Sequence, residues 1–227
     1  MPRQLNFDLP ARPALGRDDF FVAEPNAVAL ALVESWPDWP NRKLLIIGPT
    51  GSGKTHLAHV WATRSRARLI PAYLLPQENI PALAAGPVVI EDAQEIAGNE
   101  AAEHALFHLH NHLLAEGQSL LLTANTAPQH WGLHLPDLAS RMQGTTSVSI
   151  DLPDDRLLAV VLAQLFADRQ IVPHGDVIPY LLRRMDRSFA DAQRIVAAID
   201  ALSLSEKRDV TRRLAARACD QLEQDAG

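Results

Sequence analysis

GPTGSGKT, Gly48 to Thr55, lies between an apolar run, Lys43-Leu44-Leu45-Ile46-Ile47, and a helix-like stretch, THLAHVWATRS. It matches G-x-x-x-x-G-K-[S/T] in full and sits where that motif must sit, between a strand and a helix. Gly48, Gly51 and Gly53 let the backbone wrap closely enough for its N–H groups to face phosphate oxygens, with Pro49, Thr50 and Ser52 completing the loop. The helix starting near Lys54 adds the positive end of its dipole. Lys54 supplies a mobile cation for the β- and γ-phosphates of ATP or ADP, and Thr55 a hydroxyl for Mg²⁺.

Outward from this loop, further apolar runs read as strands: LIPAYL (69–74), PVVIED (87–92), SLLLTAN (119–125) and TTSVSID (145–151). NAVALALVESW before Pro37 and EAAEHALFHLHNHLLAEG up to Gly117 read as helices. Five strands alternating with helices predict an α/β fold, a P-loop core whose parallel sheet is covered on both faces. After Leu152-Pro153 the strand signal ends. DDRLLAVVLAQLFADR, DVIPYLLRRM, FADAQRIVAAIDAL and SEKRDVTRRLAARACDQLEQ all read as helical, which predicts a small C-terminal all-α domain. The expected organisation is a leader over 1–18, an α/β core over 19–152 and a helical unit over 153–227.

The 227 residues are 47% hydrophobic, enough for a full core. A formal charge of −6 argues against a wide duplex-DNA footprint. Cys219 is the single cysteine, so there is no disulfide framework, and a reducing cytoplasmic setting fits. No apolar run is long enough to cross a membrane.

A phosphate loop needs acids at the end of a neighbouring strand. VVIEDAQ supplies Glu91 and Asp92, one to hold hydrated Mg²⁺ with Thr55 and the other to orient an attacking water. Asn125 ends LLLTAN, where a polar side chain senses the γ-phosphate.

With these pieces in order the chain resembles the AAA+ family, and within it the group of the bacterial replication initiator DnaA and its Hda-type regulators. The likeness covers about residues 19–205 and rests on DDFFVAEPN, GPTGSGKTHLAH, VVIEDAQ, LFHLHNHLLAEGQSLLLTAN, LPDLASRMQG and LLRRMDRSFADAQ. It implies an adenine seat at Phe21 and Val22, and an arginine finger at Arg141 that projects into a neighbouring subunit's nucleotide site. It also implies self-association through that face. The chain departs from the group's pattern in two places. Glu91 stands where the first acid is usually Asp, and Ala190 stands where the lid's sensor-2 arginine is expected, with Arg187 and Arg194 nearby. Nucleotide binding with weak intrinsic hydrolysis is the expectation. The stretch between LIPAYL and PVVIED is too short for the paired helices with which such initiators grip single-stranded DNA, and no helix-turn-helix follows the lid. No direct sequence-specific DNA binding is expected.

QLNFDLP (4–10) places Leu5, Phe7 and Leu9 in alternation after Gln4. Such a peptide suits an extended fit into a groove, alternate side chains in apolar pockets. In Hda-type proteins this position holds the peptide for the β sliding clamp of DNA polymerase III. The resemblance thus implies a clamp-bound regulator that promotes hydrolysis of DnaA-bound ATP. The alternative is a helicase-loader-type ATPase acting on a replicative helicase and single-stranded DNA.

Three other patterns have plainer readings. His104, His108 and His112 share a helix face that suits either metal ligation or solvent. Trp36 and Trp39 suit packing over the start of the first strand, and Arg208, Arg212, Arg213 and Arg217 a solvated or interacting helix face.

Overall fold

A computed structural model describes residues 24–225. Five strands form one sheet in the order β2-β3-β4-β1-β5, every pairing parallel. They are β1 (Lys43–Ile47), β2 (Arg68–Pro71), β3 (Val88–Glu91), β4 (Leu120–Ala124) and β5 (Ser147–Ser149). β4 lies between β1 and β3, with Ile47 beside Ala124 and Ile90 beside Leu122. The C-terminal ends of these three strands therefore finish side by side, where open α/β sheets hold their ligands.

Strand side chains alternate between two apolar layers, as the period of two requires. Leu44, Ile46, Val89 and Leu121 face one layer with α1 (Glu24–Glu34) and α2 (Lys54–Ser65). There Trp61 of α2 packs on Trp39 at 5.0 Å and on Trp36 at 6.1 Å. The indole of Trp36 donates to Ser119 Oγ (3.0 Å) and that of Trp39 to Leu32 O (2.7 Å), so these rings are packing groups with satisfied polar ends. Leu45, Ile90, Leu120 and Leu122 face the other layer with α3 (Ile80–Leu83), α4 (Glu100–Ala115) and α5 (Pro136–Gln143).

Helix ends follow local chemistry. Asn99 caps α4 by accepting from Ala102 N at 3.1 Å. Gly117, at φ +66°, ends it, with Gln118 N donating to Leu113 O at 2.7 Å. A third apolar cluster, including Leu158, Leu162, Phe166, Val196, Ile199 and Ala215, is formed by α6 (Asp155–Asp168), α7 (Val177–Leu181), α8 (Phe189–Glu206) and α9 (Arg212–Asp225). Asp154 and Ser188 cap α6 and α8. Among the described residues no helix is long and apolar enough to cross a membrane.

Two sequence expectations are corrected. The run 69–74 is a strand only to Pro71; Ala72–Gln77 coils into a 3-10 turn that buries Ala72 and Leu75 together in the core. The run from Ser205 is not one helix. Ser205 and Glu206 finish α8, Lys207 turns left-handed at φ 52°, and α9 starts only at Arg212, with Val210 buried in the break.

Phe166 is fully buried in the third cluster. Phe166→Ala should lower the unfolding free energy by about 3–5 kcal/mol, measured by urea denaturation; an unshifted midpoint would contradict this packing.

Candidate functional site

β1 ends at Ile47 and the chain turns into the glycine loop. A Cβ on Gly48 would meet Ile150 O at 2.4 Å and Ser52 Oγ at 2.7 Å, so only glycine fits this approach. Gly51 and Gly53 adopt φ of +82° and +99°, conformations side chains rarely take. Pro49 O accepts from Ser52 N at 3.2 Å, closing the bend after Thr50. The Ser52 hydroxyl is buried and has no hydrogen-bond partner. Gly53 caps α2, whose first N–H groups have no acceptor within the helix.

Lys54 is buried, and its ammonium donates to Gly48 O (2.7 Å), Pro49 O (3.0 Å) and Asn125 Oδ1 (2.9 Å). All three of its donors are thus satisfied. Burial pulls its pKa down, and the nearby Asp92 carboxylate opposes the shift. Asn125 reaches Lys54 because β4 adjoins β1, and its own N–H donates to Gln94 Oε1 at 3.1 Å. Gln94 drew no attention in the sequence, since its partner lies 31 positions away. Glu91 shares a hydrogen bond with the Thr55 side chain; burial raises its pKa, while that bond and His59 act in the opposite sense. Asp92 takes a left-handed turn at φ 51° as β3 ends, its N–H donating to Thr123 Oγ1 at 3.1 Å. Lys54, Thr55, Glu91, Asp92 and Asn125 therefore converge at one edge of the sheet, an arrangement that can bind a phosphate and a hydrated cation.

The N-terminus of α8 rests on the same loop. Phe189 N donates to Gly51 O at 3.2 Å, and a Cβ on Gly51 would strike Ser188 Cβ at 2.4 Å. Ala190 is exposed one residue on. The arginines near it have other partners: Arg187 pairs with Asp155 at 3.0 Å and Arg194 with Asp191.

Arg141 lies elsewhere. It is exposed near the end of α5, its guanidinium 5.4 Å from the centre of the Phe107 ring on α4. Its carbonyl accepts from Lys43 Nζ (3.0 Å) and Thr145 Oγ1 (2.9 Å). Lys43 opens β1 and Gly48 follows its end, so about 16 Å of strand separates the two regions. Lys43 Nζ also lies 3.3 Å from Nε2 of His110, a buried imidazole whose Nδ1 lies 3.2 Å from Asn111 Oδ1. The ammonium can only donate, so Nε2 is the acceptor and Nδ1 carries the proton. Glu103 is buried on α4 and accepts from Gly98 N (3.1 Å), His134 N (2.9 Å) and Leu135 N (2.7 Å). Burial alone would raise its pKa, but these N–H donors outweigh it and hold the pKa low. Lys43, Glu103 and His110 were missed in the sequence, where a lone charge in an apolar run or helix carries no sign of its distant partner.

Gln4, Leu5, Phe7, Leu9, Phe21 and Val22 lie outside the described residues. His104 stacks on His108, and among the described residues no group of three or more His, Cys, Asp or Glu is arranged to hold a metal. Arg208 and Arg217 pair with Glu206, and Arg212 covers Tyr180.

No family model matches the chain. It is similar to the chromosomal replication initiator protein DnaA of Thermomicrobium roseum, 25% identical over an alignment spanning 88% of this chain and 48% of that protein. DnaA of Porphyromonas gingivalis is 28% identical over 70% of this chain and 39% of its own length. The chain thus spans less than half of these curated relatives. Domain III of Thermotoga maritima DnaA superposes with a TM-score of 0.78 at 16% identity, covering 93% of this chain and 98% of that one. AMPPCP-bound DnaA from Aquifex aeolicus gives 0.73 at 20% identity, covering 94% and 70%. The FIGL-1 AAA domain gives 0.69 at 18% identity, covering 91% and 83%. The chain is related in sequence to DnaA, and its fold is that of DnaA domain III and other AAA+ proteins.

Burial, Lys43 and Arg141 push the His110 pKa down to about 4, against the opposing Asn111 contact. Between about pH 6.5 and that value the unfolded chain binds a proton the folded imidazole refuses, so stability falls as pH drops through this window. From pH 7 to pH 5 wild type should lose on the order of 2 kcal/mol more than His110→Gln in urea unfolding. Equal losses would contradict the assignment.

Proposed function

We propose that the chain is an AAA+ nucleotide-binding regulator of replication initiation, of the Hda type, that promotes hydrolysis of ATP held by DnaA. Relatives that are initiators support the process, and the solved relative carrying AMPPCP supports an adenine nucleotide as ligand. The loop suits that ligand: a close glycine cradle at Gly48, a buried unpartnered hydroxyl at Ser52 and a buried cation at Lys54. ATP or ADP would be held by Gly48 to Thr55, with Phe21 and Val22 at the base. Thr55, Glu91 and Asp92 would hold Mg²⁺, which when bound offsets phosphate charge. In this reading 19–152 is the nucleotide core and 153–227 its lid.

Weak turnover by the chain itself follows from its lid. Ala190 offers no cation, and Arg187 and Arg194 are engaged by carboxylates. The observation that carries the proposal is Arg141: exposed, and set off from its own Lys54 by the length of β1. A guanidinium so placed serves a phosphate on another subunit, where it stabilises charge developing on the transferring phosphoryl group. Self-association through that face is part of the same reading.

The β2–β3 connection agrees with a regulator that does not read DNA, since its only α-helix is the four-residue α3. The leader would tether the protein to the β sliding clamp, Gln4 at the groove's edge and Leu5, Phe7 and Leu9 in pockets.

Arg141→Ala should retain nucleotide affinity and clamp binding but lower stimulated DnaA turnover by about 10³-fold or more in a phosphate-release assay. Undiminished stimulation would refute the role. Replacing Gln4, Leu5 and Phe7 together by Ala should abolish capture on immobilised clamp; capture equal to wild type would remove the leader from the proposal.

A further inference from the structure

The eight-residue helix α5 is too short to hold its shape alone and buries only Leu138 and Met142. Its ends are fixed instead by two buried charges that belong to other elements. At its start Glu103 accepts from the N–H groups of His134 and Leu135; near its end Lys43 donates to the carbonyl of Arg141. Each sign complements the helix dipole at that end. Glu103 is 1% exposed and Lys43 5%, yet their charges are satisfied by backbone groups and His110, with no bond to each other. Buried charges are costly, and apolar residues of similar volume often serve stability as well. Stability alone therefore gives a weak account of this pair.

We infer that Lys43 and Glu103 are positioning residues that hold α5 at a fixed height and rotation, so that Arg141 is presented ready-made to the partner's nucleotide. The atom Lys43 grips is the carbonyl of Arg141 itself, which fixes the root of that side chain. Thr145 holds the same carbonyl, and the guanidinium then lies over Phe107. Pre-organisation matters because a misplacement of about 1 Å can cost 10²-fold in rate.

The inference rests on the trans-acting reading of Arg141, and its test separates the two. In partner-free protein, the Arg141 side-chain protons should be shifted by the Phe107 ring current, with Arg141→Ala supplying the NMR assignment. Lys43→Met and Glu103→Gln should each move them to random-coil values while nucleotide affinity stays unchanged. In the DnaA assay each variant should lower maximal stimulation about 10- to 100-fold at an unchanged half-saturating concentration. Neither should lower it further in an Arg141→Ala background.

Unmoved NMR signals, or an undiminished loss in the Arg141→Ala background, would overturn the inference. Should wild type fail to stimulate, the trans-acting reading falls and the NMR comparison alone decides the positioning. If Lys43→Met loses nucleotide binding and so fails as a folded variant, Glu103→Gln decides by the same signals, and unmoved signals there overturn the inference.

Discussion

The approach of Gly48 to Ile150 O leaves no room for a side chain, and the rest of the candidate site follows from that packing. Because the chain can turn there directly off β1, α2 starts with Lys54 buried beneath the loop. Because β1 pairs with β4 and β4 with β3, Asn125 and the Glu91-Asp92 pair arrive at the same edge. Lys54 ties these parts together by bonding to two loop carbonyls and to Asn125.

The sheet also keeps its two chemistries apart. Lys54, Asn125, Glu91 and Asp92 gather at the C-terminal ends of the strands, whereas Arg141 hangs by its carbonyl from the first residue of β1. The root of Arg141 thus sits at the opposite end of β1 from Lys54. The helical unit adds a third contact, with the N-terminus of α8 set against Gly51. The helical unit and the loop therefore meet backbone to backbone at this point, close to Ala190.

Lys54 and Asp191 are buried as well, but the polar groups around α5 form a set of their own. Lys43, His110 and Glu103 surround α5, each satisfied by hydrogen bonds and none by a conventional ion pair. Such a network is rigid because loss of any member would leave a buried group unpaired.

The sequence by itself determined the phosphate loop, the apolar strands after it and the acids and amide that end two of them. Each of these is written in consecutive residues, through glycine freedom, β-branched or leucine runs and side-chain chemistry. It also determined the change to an all-helical region after residue 152, although the break at Lys207 and the turn at Ala72 lay hidden in uniform runs. Only the tertiary structure decided that Arg141 is exposed on Phe107, that Gln94 touches Asn125, and that Lys43 and Glu103 grip the two ends of α5. Lys43 and Arg141 are 98 positions apart. A charge in an apolar run has no local partner to announce it, and its acceptor is a backbone carbonyl, which every residue possesses and no sequence pattern marks.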